Sequence, residues 1–180
     1  CSIDEVNGIK FWAEQGKIVN REVALVTPAG NPAILKVVNH WLGTDGGPVV
    51  IETAEFRIYA NRLLAYDATF AAGAHPVTFD DTKEGMFGIR VANSLRGNSG
   101  GQIINAEGLR TEKDCWGQES KWVDYSGTVN DKTYGVTLFD HPDNFRKSRF
   151  HVRNYGLFTL SPFGQNAYTN GRLPRQPFNT

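Results

Sequence analysis

What most constrains this chain is its punctuation. Glycine and asparagine interrupt the sequence at intervals of roughly ten to twelve residues, and the runs between them are rich in Val, Ile, Thr, Phe and Tyr, the pattern of a many-stranded antiparallel protein. Strands are expected over 17–27, 33–42, 48–60, 62–72, 85–92, 102–105, 120–127, 133–139 and 150–160. Residues 52–70 admit a helical reading through Leu63, Leu64 and Tyr66. However, Phe56, Ile58 and Ala60 alternate with Glu55, Arg57 and Tyr59, and period two favours a long hairpin. Residues 28–31 and 129–132 read as turns, because Asn and Asp tolerate the left-handed backbone that tight hairpins demand. No repeat of fixed period points to a solenoid or propeller. The expected fold is an all-β antiparallel sandwich forming a single domain over 1–180. Its tail, 166–180, is expected to be irregular and the least ordered part, since Asn, Gly, Arg and Pro outnumber apolar anchors there.

Composition narrows the function. The 19 basic and 19 acidic side chains balance, so no global field draws in nucleic acid or anionic lipid. The longest apolar runs, such as Val49-Val50-Ile51, are far short of the roughly twenty residues that cross a bilayer, so a soluble domain without membrane partners is expected. Two cysteines, Cys1 and Cys115, form neither a disulfide framework nor a zinc spacing. The sequence opens without a basic or apolar leader and reaches Phe11-Trp12 before any turn signal. This reads as the interior of a domain with an N-terminal part upstream. A periplasmic or secreted location is favoured over a cytoplasmic one; oligomeric state is not encoded legibly.

Three segments carry candidate chemistry. On a strand through 150–158, side chains alternate, so His151, Arg153 and Tyr155 share one face while Phe150, Val152 and Phe158 share the other. An imidazole, a guanidinium and a phenol together suit a polyhydroxylated or carboxylate-bearing ligand. The alternative is structural: Arg153 pairs with Asp140 or Asp124, and Tyr155 packs at an edge. His141, between Asp140 and Pro142, is a second candidate acid or base, with Asp124 or Glu84 as partner carboxylate. His141 and His151 with a carboxylate from Asp124, Asp140 or Glu84 could also hold a metal, although strand-borne ligands leave no spacing signature, and no cofactor is expected. In 84–91, Glu84, Met86, Gly88 and Arg90 share a face opposite Phe87, Ile89 and Val91. Gly88 is expected to keep that face open to a ligand. Trp116 and Trp122 flank the polar run 117–121 and could stack a sugar ring.

These segments also carry a resemblance. Residues 81–91 (DTKEGMFGIRV), 105–108 (NAEG), 124–127 (DYSG), 139–142 (FDHP) and 151–164 (HVRNYGLFTLSPFG) resemble, in order, the later part of the bacterial PmoA-like family, which bears the label methane oxygenase. In that family the opening VNGIKFW follows a histidine-rich stretch. The label implies an integral-membrane oxygenase subunit, which these short apolar runs do not support. The resemblance instead implies a β-sandwich of the galactose-mutarotase type and, by association, carbohydrate catabolism. The resulting expectation is a hydrolase, lyase or epimerase acting on a sugar or keto-sugar. His141, His151, Glu84 and Asp124 would be catalytic, and Arg90, Arg153, Tyr155, Trp116 and Trp122 would hold the ligand. A non-catalytic glycan-binding module is the alternative, and a metal-dependent oxygenase the lesser one.

Overall fold

The computed structural model describes residues 1–180. Its strands are β1 (Ser2–Ile3), β2 (Lys17–Thr27), β3 (Ala33–Leu42), β4 (Pro48–Ile58), β5 (Leu64–Ala72), β6 (Thr78–Phe79), β7 (Gly85–Arg90), β8 (Gln102–Asn105), β9 (Trp122–Val129), β10 (Lys132–Phe139), β11 (Arg149–Val152), β12 (Leu157–Ser161) and β13 (Phe178–Asn179). Two short α-helices, α1 (Thr111–Cys115) and α2 (Gln165–Tyr168), and two 3-10 turns, Asn93–Leu95 and Gly97–Ser99, complete it. The fold is all-β, antiparallel and sandwich-like. No helix is long and apolar enough to cross a membrane. The chain divides into two compact units, one of Val6–Thr78 with Asn179–Thr180 and one of Cys1–Glu5 with Phe79–Phe178.

The first unit is a four-stranded meander, β2-β3-β4-β5, and the period-two reading of 52–70 holds: Phe56 pairs with Tyr66 across the β4–β5 hairpin. One face carries Lys36, Glu55, Arg57 and Asp67 in a chain of ion pairs. The other carries Leu35, Val37, Trp41 and Phe56, with Phe11 and Phe70 ring centroids 5.2 and 5.8 Å from Trp41. Glu52 stands on this apolar face and is buried. The face tolerates it because Trp41 Nε1 donates to one carboxylate oxygen at 2.9 Å and Tyr66 Oη to the other at 2.7 Å, which satisfies a group that would otherwise be costly to bury.

The second unit is a two-layer sandwich of β1-β7-β12-β11 and β10-β9-β8. Alternation explains its core: Ile103, Val123, Tyr125 and Leu138 from one sheet meet Phe150, Val152 and Phe158 from the other. The two-residue turn Asn130-Asp131, at φ 49° and 60°, joins β9 to β10 where a hairpin was expected. Residues 150–160 are a correction. They form two strands rather than one, because Arg153 to Gly156 turn the chain, with Gly156 at φ 90° donating its N–H to Arg153 O. His151 therefore pairs with Thr159, and Tyr155 leaves the face it was expected to share. The tail is irregular but not loose. Buried Asp81 accepts the N–H groups of Asn166, Ala167 and Gln176 at 3.0, 3.3 and 2.8 Å, which fixes the start of α2 and the segment beyond it. The sequence reading missed α2, since four residues leave no periodic signal.

Candidate functional site

β11 builds the site by sending residues to two faces. Phe150 and Val152 enter the core, while Arg149 and His151 point the other way. His151 is only 1% exposed, roofed by Trp116 and Tyr168 with ring centroids 6.3 and 6.4 Å away. Gly117 permits that roof: at φ 74°, a Cβ there would come within 2.7 Å of Tyr168 O. Tyr168 is anchored by donating its hydroxyl to Lys83 O, beside Glu84.

Polar contacts then fix the protonation pattern. Arg153 Nε donates to His151 Nε2 at 2.9 Å, so Nε2 is an acceptor and the hydrogen-bond network assigns the proton to Nδ1. Burial, with help from the Arg153 and Lys83 charges, holds the imidazole down to about 4, so it is neutral near pH 7. Its Nδ1 is buried without a hydrogen-bond partner, as is Trp116 Nε1. Two unpaired buried donors on one cluster call for a partner. Glu84 Oε2 lies 3.7 Å from His151 Nε2, and burial raises its carboxyl above the usual range despite the Lys83 and Arg153 charges. Glu112, by contrast, is fully engaged: Arg153 Nη1 donates to Oε1 at 3.1 Å and the Asn154 N–H to Oε2 at 2.6 Å. Tyr125 Oη exchanges hydrogen bonds with the Arg153 backbone at 3.0 Å. Arg153 is thus held from several sides.

Of the residues singled out from sequence, the structure brings together Glu84, His151, Arg153 and Trp116. The others lie apart from them. Arg90 sits 5.1 Å over the Tyr155 ring, a surface cation–π pair. Asp124 projects opposite buried Val123 and Tyr125 and accepts from Thr137 Oγ1 at 2.7 Å. Trp122 stands across from Phe139. His141, with a side chain 71% exposed, accepts the Asp143 N–H and faces its carboxylate, while Asp140 organises its own loop through Asn144 and Ser148. No hydrogen bond, ion pair or ring contact joins His141 to His151, and no three His, Cys, Asp or Glu side chains are grouped to hold a metal ion. Gly88 does not leave a vacant face, since a Cβ there would meet Thr159 Cγ2 at 2.5 Å. Glu112 and Tyr168 were missed. The partner of Arg153 lies 41 residues away in a five-residue helix, beyond the reach of spacing, whereas an aromatic in a polar tail was a usable signal for Tyr168.

The buried neutral imidazole has a consequence for stability. A folded-state pKa held below the ordinary 6.5 contributes stability that is present above pH 6.5 and lost as pH falls through about 4. Urea titrations across this window should show a loss approaching ~3 kcal/mol, and His151→Gln should flatten that part of the profile. An unchanged profile would mean that His151 is already charged in the fold.

No curated protein and no solved structure matches this chain. A family model does, over residues 1–177, which takes in every residue of the site and all of the two units but residues 178–180: the chain belongs to a family of unknown function, DUF6807.

Proposed function

We propose that the second unit is a carbohydrate-active enzyme whose chemistry is proton transfer on a sugar or keto-sugar, centred on Glu84, His151 and Arg153. The observation that carries this reading is the contrast between the two glutamates. Glu112 is locked by Arg153 and a backbone N–H. Glu84 has a raised pKa, no close charge-assisted hydrogen bond, and an imidazole at 3.7 Å. A carboxyl left free of such partners fits the acid–base role that a hydrolase, lyase or epimerase needs. The Nδ1–H of His151 and the Nε1–H of Trp116 are neutral donors suited to hydroxyl or carbonyl oxygens, and the Trp116 ring supplies an apolar surface for a pyranose face. Arg153 would stabilise negative charge developing on a carbonyl oxygen.

The resemblance of the motif blocks to the PmoA-like proteins supports the same direction, since it implies a sandwich of the galactose-mutarotase type. A glycan-binding module without turnover is the second reading, favoured by the depth of His151. A panel of sugars and keto-sugars, scored by thermal shift and by product formation, tests both. The enzyme reading expects a stabilising sugar whose conversion is lost in His151→Ala. Binding without conversion supports the module, and a panel with no response contradicts both.

A further inference from the structure

We infer that the second unit carries a separate binding site for a phosphoryl group, in a cleft of ≈ 210 Å³ lined by Arg146, Lys147, Arg149, Ser161 and Gln165 among others. The chain as a whole is electrically balanced, yet this cleft gathers three cations and a single carboxylate, Glu119. Glu119 is matched to Arg149 at 2.8 Å. Arg146 and Lys147 form no ion pair, so the cleft keeps an excess of positive charge.

The two guanidinium groups are positioned before any ligand arrives. Arg146 lies over the mutually packed Phe145 and Phe178 rings, 5.6 and 5.2 Å from their centroids, and donates one N–H to Gln176 O at 3.0 Å. Arg149 is held by Gly117 O at 2.9 Å as well as by Glu119. An arginine has five N–H donors in a rigid fork, so both retain donors for an anion. Ser161 pairs directly with Arg149; its Oγ accepts the Phe163 N–H at 3.2 Å, leaving the hydroxyl proton to donate. Fixed planar forks, a free ammonium and a hydroxyl form a donor set suited to tetrahedral oxyanions, for which arginine geometry is bidentate. Arg149 and His151 share one face of β11, so the cleft begins one two-residue step, about 7 Å, along the strand from the imidazole.

The test is an NMR titration of the full chain with inorganic phosphate, a hexose 6-phosphate and the unphosphorylated hexose. The expected result is saturable movement of the amide signals of residues 146–149 and 161 with both phosphorylated probes. The affinity should fall at least roughly tenfold in Lys147→Glu, an exposed substitution that leaves the aromatic packing around Arg146 intact. Movement elsewhere, affinity indifferent to Lys147→Glu, or no saturable response to either phosphorylated probe would overturn the site. Phosphate binding that survives Glu84→Gln, in a protein that converts no sugar, would uphold this site while the catalytic reading fails.

Discussion

Glu84→Gln should lower turnover of the responding sugar on the order of 10²- to 10⁴-fold with little change in KM. The substitution keeps the size of the side chain and replaces the titratable carboxyl with an amide that neither takes up nor releases a proton at working pH. Burial already holds the Glu84 carboxyl above the usual range, which brings it closer to the pH at which an acid–base group works best. Two groups of the cluster are not placed to replace it: Glu112 is engaged at both oxygens, and His151 is neutral with Nε2 occupied by Arg153. Steady-state kinetics of purified wild type and variant check this. A rate within a factor of about three of wild type would remove Glu84 from the proton transfer, since that is far below the contribution of a general acid or base.

The other large effect lies in the first unit, where Glu52→Ala should destabilise the meander by about 2–5 kcal/mol. The loss has two sources. Trp41 is fully buried, and its Nε1–H donates to Glu52 at 2.9 Å, so removing the carboxylate strands a buried donor. A void also opens beneath the rings packed around Trp41. Glu52→Gln retains an acceptor and a similar volume, so it should cost distinctly less. Urea unfolding followed by tryptophan fluorescence separates the two, and equal losses for Ala and Gln would assign the effect to charge rather than to hydrogen bonding.

Both large effects arise where polar groups are buried, and these are also the places where sequence pattern said least. The strands of the meander and the Asn130-Asp131 turn were legible, because alternation and left-handed tolerance are local properties. The break at residues 153–156 was not read: apolar residues on both sides imitate a continuous strand, although Asn154-Tyr155-Gly156 contains the turn chemistry that ends it. Half of the site followed from alternation along β11, which set His151 opposite Phe150 and Val152. The other half depends on long-range closure. Glu112 reaches Arg153 from α1, and Tyr168 reaches Lys83 from α2, and neither helix is long enough to announce itself. His141 looked equivalent to His151 in sequence, but it stands on an exposed loop, and only burial distinguishes the two.

In the proposed site His151 Nδ1–H donates to a bound sugar oxygen, while Glu84 stands 3.7 Å from Nε2 of the same ring. The direct measurement is the imidazole ¹⁵N and ¹H spectrum of His151 at neutral pH, with and without the stabilising sugar. The expected result is a neutral ring protonated at Nδ1, whose proton signal moves downfield as the sugar saturates the protein. A sugar that binds or is converted while the His151 resonances stay unchanged would contradict it and place the site elsewhere on the molecule.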